Sequence, residues 1–198
     1  LTYKKGGNFG KMYGTCDASQ NSTHDSRGIT GWTFHMLGGS IAWRCHAQAL
    51  VALSSCEAEL IAVDEASREV LHLRMLLQDF GYELPDPTII GQDNESTIRL
   101  VKKGRFEART KHIALRFHHC HFQQQAGKLK TSYLATDVMT ADALTKPLER
   151  VAHERHTQVL LGLKPLQWTA LVPSVGNKRP IAQMHQGCTQ QKNKQRKQ

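Results

Sequence analysis

The chain has 198 residues, a length that gives one domain a sizeable core and leaves little room for a second. Its 26 Lys and Arg residues outnumber its 17 Asp and Glu residues, and the formal net charge of +9 favours a polyanionic partner such as nucleic acid. A basic surface without a partner is the alternative. No stretch approaches the roughly 18 apolar residues of a membrane helix, and no signal peptide is visible, so we expect no membrane association.

The five cysteines are scattered and form no C-x-x-C pair, which indicates free thiols in a reducing, intracellular compartment. The first residue is Leu rather than Met, so we expect the chain to be a fragment of a longer polypeptide.

The first 50 residues predict a leading segment and three strands. Residues 1–10 are rich in Gly and Lys and are expected to be flexible. Lys11–Asp17 predicts a strand that ends at Asp17, and turn-forming residues follow it. Residues 29–37 and 40–48 then predict a hairpin around a Gly38-Gly39 turn.

Helices and strands alternate in the remainder of the domain. In chain order the predicted elements are a long helix Ser54–Phe80 stopped by Gly81, a buried strand Pro87–Asp93, a helix Glu95–Lys103 before Gly104, a helix Arg109–Ala126, a strand Lys128–Thr136 and a last helix from Val138 towards Pro147.

This order predicts an α/β fold with a five-stranded mixed sheet flanked by helices. Three successive strands favour antiparallel pairing, and strands separated by helices favour parallel crossovers. We assign the domain to residues 11–164. Residues 165–198 are assigned to a basic, disordered tail, because residues 176–198 contain six Lys or Arg and no acid.

Two glutamates stand two positions apart where the long helix begins. Ser54 and Glu57 form an S-x-x-E capping box, in which the Glu57 side chain is expected to reach the Ser54 backbone N–H. Glu57 shares a helix face, predicted to face solvent, with Asp64, Arg68 and His72.

Glu59 lies instead on the apolar face of this helix, in a stripe with Ala62, Ala66, Val70, Leu73 and Leu77. A buried carboxylate must be paired, protonated or bound to a metal ion, because an isolated buried charge is very costly. The alternative is that Glu59 ends the stripe and reaches water.

Three further acids occupy element ends. Asp93 follows the buried strand, Asp17 ends the first strand, and Asp142 lies near the start of the last helix. Singly, Asp93 could cap a helix, Asp17 could start a turn and Asp142 could complement a helix dipole. Together with Glu59 they would form an all-oxygen site, which suits Mg²⁺ or Mn²⁺.

Five motifs in order carry a family resemblance: "YGTCDAS", "VALSSCEAELIAV", "IIGQDN", "RTKHI" and "ADALTKPL". From about residue 10 to Leu163 the chain resembles the ribonuclease H domain of copia-type LTR retrotransposon Pol polyproteins. The resemblance implies the ribonuclease H-like fold and metal-dependent hydrolysis of the RNA strand of RNA–DNA hybrids.

By position in these motifs, the resemblance implies that Asp17, Glu59, Asp93 and Asp142 are the catalytic residues and hold two Mg²⁺ or Mn²⁺ ions. It implies an RNA–DNA hybrid as substrate and the polymerase domain of the same polyprotein, which this sequence does not include, as partner. The implied location is intracellular, in a cytoplasmic retrotransposon particle or in the nucleus.

The chain departs from the family pattern at two places. Ser19 and Gln20 replace an Asp and an aromatic residue after the first strand, and Ala114 stands where an acid is common. One alternative is therefore a degenerate, non-catalytic relic that at most binds nucleic acid. Another is a DNA strand-transfer enzyme such as an integrase, although those enzymes place Glu last among the acids and here it is second.

A basic stretch after the second helix could contact the phosphates of a hybrid through Lys102, Lys103, Arg105, Arg109 and Lys111, or it could be a solvated loop. "FHHCHF" at residues 117–122 offers zinc ligands without a second cluster at ligand spacing. The aromatic residues Trp32, Phe34 and Trp43 are assigned to the sheet core in preference to base stacking.

Overall fold

The computed structural model describes residues 1–3, 10–104 and 114–165. The chain divides at Gln167 into two units, and the second, Trp168–Gln198, lies outside this description. Most of the predicted flexible segment 1–10, almost all of the tail 165–198, and Arg105, Arg109 and Lys111 also lie outside the described residues.

Five strands form one mixed sheet in the order β3-β2-β1-β4-β5. They are β1 (Tyr13–Ser19), β2 (Ile29–Met36), β3 (Gly39–Ala47), β4 (Thr88–Gln92) and β5 (Leu129–Tyr133). β1, β2 and β3 pair antiparallel, whereas β4 is parallel to β1 and β5 is parallel to β4. The predicted five-stranded mixed sheet is thus confirmed.

The described helices are α1 (Ser55–Asp79), α2 (Glu95–Lys103), α3 (Ala114–Gln125), α4 (Asp142–Thr145) and α5 (Arg150–Leu160), with a 3-10 turn at Thr136–Val138. α1 packs on β1 and β2, α3 packs on α1, and α4 packs on β1 and β2. Among these described helices, none has both the length and the apolar character that crossing a membrane requires.

Several predicted strand boundaries are wrong, and β5 ends at Tyr133 rather than at Thr136. Asp17 lies inside β1, because residues 17–19 continue to pair with β2. The hairpin turn is Leu37-Gly38, one residue earlier than predicted, and Met36 pairs with Gly39. Both turn residues have positive φ, 55° at Leu37 and 85° at Gly38, the geometry that suits a two-residue hairpin.

The predicted bounds of α1 are confirmed, and its caps explain them. The Ser54 Oγ accepts a hydrogen bond from the Glu57 N–H at 3.2 Å, and Gly81 has φ 80° after the helix. The Glu57 carboxylate accepts from the Leu53 N–H at 2.9 Å, so it reaches one residue beyond the predicted Ser54.

The prediction that this face of α1 lies in solvent is wrong at Glu57 and Asp64, which are both buried. α3 covers part of this face, and its Arg116 and His119 contact the Asp64 carboxylate. The periodicity of the α1 sequence could not predict that a helix 50 residues later in the chain would cover this face.

The predicted last helix is also wrong in extent. The segment from Val138 to Pro147 contains only the end of the 3-10 turn and the four residues of α4, and the 11-residue α5 follows it. Pro147 stands just after α4, where it cannot continue the helix hydrogen bonding. His156 is the one buried residue of α5.

Trp32 and Phe34 are buried in the core as predicted, but Trp43 is 55% exposed, so its assignment to the core is wrong. Trp43 lies on β3, an edge strand of the described sheet, and pairs with Thr33, so its side chain stands on the opposite face of the sheet from Trp32 and Phe34.

Candidate active site

Three carboxylates meet at the end of the sheet where β1 and β4 finish. Asp17 comes from β1, Glu59 from the first turns of α1, and Asp93 directly follows β4. One carboxylate oxygen from each lies within 4.8 Å of the other two. β1 and β4 are parallel, so their carboxyl ends share one edge of the sheet, and α1 packs against β1 there.

Glu59 is held in place by a buried amide. Gln92, the last residue of β4, donates a hydrogen bond from its Nε2 to the Glu59 Oε2 at 2.9 Å. Its Oε1 accepts the Asn94 N–H at 3.0 Å. Gln92 therefore ties Glu59 to the loop that carries Asp93. Sequence reasoning missed this residue, although a glutamine inside an apolar buried strand signals a polar partner.

Asp93 has no role as a helix cap. The cap of α2 is Asn94, whose Oδ1 accepts the Thr97 N–H at 3.1 Å. The Asp93 Oδ2 instead accepts a hydrogen bond from the Thr136 Oγ1 at 3.1 Å. Asp93 is thereby oriented from the segment that links β5 to α4.

The fourth acid, Asp142, is linked to the cluster by ion pairs that share a lysine. Asp142 is the first residue of α4, and Lys146 follows the helix. The Lys146 Nζ donates to the Asp17 Oδ1 at 3.1 Å and to the Asp142 Oδ1 at 3.2 Å. The Thr145 hydroxyl donates to the other oxygen of Asp17. Sequence analysis did not identify Thr145 or Lys146, because their contacts with Asp17 join residues almost 130 positions apart.

A glycine allows α4 to lie against the sheet here. Gly31 pairs with Asp17 in the β1–β2 register. A Cβ at Gly31 would lie 2.7 Å from the Thr145 Cγ2 and 2.9 Å from the Leu144 Cβ, distances too short for carbon atoms. The close approach of α4, and with it the contact of Thr145 and Lys146 with Asp17, therefore requires glycine at this position.

Crowding of buried carboxylates shifts their protonation. Burial, followed by the charge of Asp17, raises the pKa of Glu59 from 4.5 to about 9, although the hydrogen bond from Gln92 opposes the shift. Burial and Asp17 also raise the pKa of Asp142 to about 6, against the effect of Lys146. Partial burial of Lys146 acts the other way, but Asp17 and Asp142 outweigh it and hold the pKa of Lys146 above its usual range.

This donor set fits a hard divalent cation. All four side chains offer carboxylate oxygen, the ligand that Mg²⁺ and Mn²⁺ prefer. Among the residues that the structure describes, one cationic side chain, Lys146, forms ion pairs with these acids, and its pairs involve only Asp17 and Asp142. A cation between Asp17, Glu59 and Asp93 would offset their buried negative charge.

A second cluster joins the "FHHCHF" segment to α1. Asp64, His119 and Cys120 offer ligand atoms within 4.8 Å of one another, a grouping that the spacing of residues in the sequence did not indicate. However, the Asp64 carboxylate is already paired with Arg68 at 2.9 Å and Arg116 at 3.3 Å. Burial raises the pKa of the Cys120 thiol to about 12, which disfavours the thiolate that zinc requires. We assign this cluster to helix packing.

Of the five cationic residues predicted to contact phosphates, Lys102 and Lys103 are exposed in the last turn of α2. They are accessible to a polyanion. The other three residues lie outside the described part of the chain.

No protein-family model matches the chain. Among solved structures, LC11-RNase H1, isolated from compost by a metagenomic approach, superposes with a TM-score of 0.53 over 75% of this chain and 99% of that protein, at 13% identity. The same protein in complex with an RNA/DNA hybrid gives a TM-score of 0.50, with 16% identity over 68% of this chain and 94% of that one. The fold is therefore that of ribonuclease H.

Two plant proteins relate the chain to a particular group. The retrovirus-related Pol polyprotein from transposon TNT 1-94 of Nicotiana tabacum is 36% identical over 146 residues, 73% of this chain. The polyprotein from transposon RE2 of Arabidopsis thaliana is 33% identical over 157 residues, 79% of this chain. The match spans 11% of each of these two polyproteins. The chain is thus a homologue of one segment of retrovirus-related Pol polyproteins of plant transposons.

Proposed function

We propose that this chain is the ribonuclease H domain of a copia-type retrotransposon polyprotein and hydrolyses the RNA strand of RNA–DNA hybrids. The observation that supports this most directly is the convergence of Asp17, Glu59 and Asp93 at the sheet edge, with Asp142 joined to Asp17 through Lys146. The fold of a ribonuclease that binds an RNA/DNA hybrid adds support.

Asp17, Glu59, Asp93 and Asp142 would hold two Mg²⁺ or Mn²⁺ ions. Such ions activate a water molecule and stabilise the leaving oxygen during hydrolysis of a phosphodiester. Asp17 lies centrally, because its carboxylate is close to Glu59 and Asp93 and shares Lys146 with Asp142. Gln92 and Thr136 orient Glu59 and Asp93, so that fewer side-chain motions are needed when the site is loaded.

The rest of the chain would bind the substrate. We assign contacts with the phosphates of the hybrid to Lys102, Lys103, Arg105, Arg109 and Lys111, with further non-specific attraction from the basic tail 165–198. The 2′-hydroxyl groups would mark the RNA strand, and cleavage would leave a 3′-hydroxyl and a 5′-phosphate.

The catalytic unit would be residues 11–164. Its partner would be the polymerase domain of the same polyprotein, since the relatives are polyproteins about ninefold longer than the matched segment. The proposed location is a cytoplasmic retrotransposon particle or the nucleus.

The test is strand-selective cleavage. The full chain is incubated with a hybrid labelled separately on its RNA and DNA strands, and with double-stranded RNA and double-stranded DNA of the same sequence, in Mg²⁺ or Mn²⁺. We expect cuts only in the RNA strand of the hybrid, and none in EDTA. A folded chain that binds the hybrid but leaves every strand intact would contradict the proposal and favour the non-catalytic relic.

A further inference from the structure

The four acids divide into two groups that share Asp17. On one side, Asp17, Glu59 and Asp93 lie within 4.8 Å of one another, and no ion pair of the described residues joins a cation to Glu59 or Asp93. On the other side, the Lys146 ammonium lies between Asp17 and Asp142, at 3.1 Å and 3.2 Å from their oxygens. The second group therefore already holds a cation that belongs to the protein, which offsets one of its two negative charges.

The position of Lys146 is one that the side chain can leave. Lys146 follows the last residue of α4, and its backbone is extended, with φ −133° and ψ 143°. Its side chain is 36% exposed, whereas Asp17 beneath it is fully buried. A lysine ammonium stands on a flexible four-carbon stem and is readily hydrated, so withdrawal into solvent breaks the two ion pairs and little packing.

Asp17 is held on both of its oxygens. Thr145 donates to one and Lys146 to the other. Thr145 is neutral and buried, so it can remain in place when a metal ion binds nearby. Lys146 cannot remain in place, because an ammonium and a divalent cation on the same two carboxylates would repel each other strongly at this distance.

We propose that Lys146 occupies the cation position between Asp17 and Asp142, and that a second divalent ion binds there only when Lys146 withdraws. The inference rests on the proposed metal site and deepens it. Two ions would then bind in sequence, first between Asp17, Glu59 and Asp93 and then, more weakly, at the position that Lys146 vacates. Lys146 is thus a positioning residue that sets the affinity for the second ion.

The experiment is a calorimetric Mn²⁺ titration of the full chain and three variants. Lys146→Met removes the ammonium and keeps the stem, and Lys146→Arg keeps a cation. Lys128→Met is the matched control, because Lys128 is exposed at the start of β5, the end of the sheet opposite to the cluster. Circular dichroism checks that each variant is folded.

We expect Lys146→Met to bind the weaker Mn²⁺ ion about tenfold more tightly, because the ion no longer displaces an ion-paired ammonium. The affinity for the more tightly bound ion should change by less than about twofold. Lys128→Met and Lys146→Arg should retain the weak second site. Unchanged or weaker binding of the second ion to Lys146→Met would overturn the inference, and absence of Mn²⁺ binding to every form would overturn the metal site itself.

A second readout needs no variant. The side-chain 13Cε and 1Hε NMR signals of Lys146 can be followed during a titration with Mg²⁺, which is diamagnetic. We expect these signals to shift during the second binding step, as the ammonium leaves the carboxylates, while those of Lys128 stay unchanged. A Lys146 signal that does not respond at saturating Mg²⁺ would contradict the inference.

Discussion

Glu59 is a single residue that indicates a function because it departs from the apolar pattern around it. It stands on the buried face of α1, where the neighbouring positions are apolar. Gln92 donates a hydrogen bond to one of its oxygens, but burial and the charge of Asp17 outweigh this bond and raise the pKa of Glu59 to about 9. A carboxylate that only stabilised the fold would be better replaced by glutamine.

The raised pKa of Glu59 makes the stability of the protein depend on pH. The folded-state pKa of Glu59, about 9, lies above its ordinary 4.5, so the stability linked to its protonation is present at low pH and is lost as pH rises through the folded-state value. In EDTA, the melting temperature of the chain should therefore fall between about pH 5 and about pH 9. Glu59→Gln should flatten this dependence.

Glu69→Gln, on the same helix, is the control and should leave the slope of melting temperature against pH unchanged. Equal slopes for the wild type and Glu59→Gln would show that Glu59 is not the group whose ionisation opposes folding. Addition of Mg²⁺ at high pH should restore stability to the wild type and not to Glu59→Gln, since binding to the folded state stabilises it.

At the scale of elements, the packing of α4 on β2 brings Lys146 to Asp17. Gly31→Ala should displace α4, because the added Cβ would lie less than 3 Å from atoms of Leu144 and Thr145. We expect a loss of about 1–3 kcal/mol in the free energy of unfolding, typical of overpacking, and weaker Mn²⁺ binding. Chemical denaturation and calorimetry measure the two effects.

Gly81→Ala supplies the comparison for this prediction. Gly81 has φ 80° and open space around it, so the variant strains the backbone at the end of α1 without touching the acids. Both variants should be destabilised, but only Gly31→Ala should bind Mn²⁺ more weakly. Equal Mn²⁺ affinities of the two variants would contradict the role of Gly31.

The sequence predicts those elements whose signals are local. The bounds of α1 and α2 follow from Ser54, Gly81 and Gly104, and the orientation of Glu59 follows from helix periodicity. The hairpin turn was misplaced because β3 carries an irregularity: Phe34 pairs with Ala42 and His35 with Ser40, which shifts the register before the turn.

Other features depend on contacts that no local pattern contains. The burial of Asp64 comes from α3, and the role of Lys146 comes from the approach of α4 to β1. In the sequence, Lys146 is a lysine at the end of the predicted last helix, directly before Pro147, and nothing near it indicates a contact with Asp17. The set of four acids could be named through the motif resemblance, whereas the cation that two of them share required the fold.

At the scale of the whole molecule, charge predicts how a hybrid would bind. The net charge of +9 includes six Lys or Arg in residues 176–198. Affinity for the hybrid, measured by fluorescence anisotropy, should fall log-linearly with salt, with a slope of about −0.9 for each phosphate contact. A chain truncated after residue 164 should give a shallower slope and unchanged Mn²⁺ affinity.

Flat salt dependence of the full chain would contradict nucleic-acid binding itself. A truncated chain with the same slope as the full chain would instead show that the tail makes no phosphate contacts.

The most direct test of the account is single-turnover cleavage of an RNA–DNA hybrid in Mg²⁺ by the wild type, Asp93→Asn and Asp137→Asn. Asp137 is an exposed acid beside Thr136, the residue that contacts Asp93, and it lies outside the cluster. We expect Asp93→Asn to lose about a thousandfold or more in rate, since the metal site supplies several kcal/mol, and Asp137→Asn to stay within about threefold. Cleavage of the RNA strand by Asp93→Asn at the wild-type rate, or by the wild type in EDTA, would contradict the account.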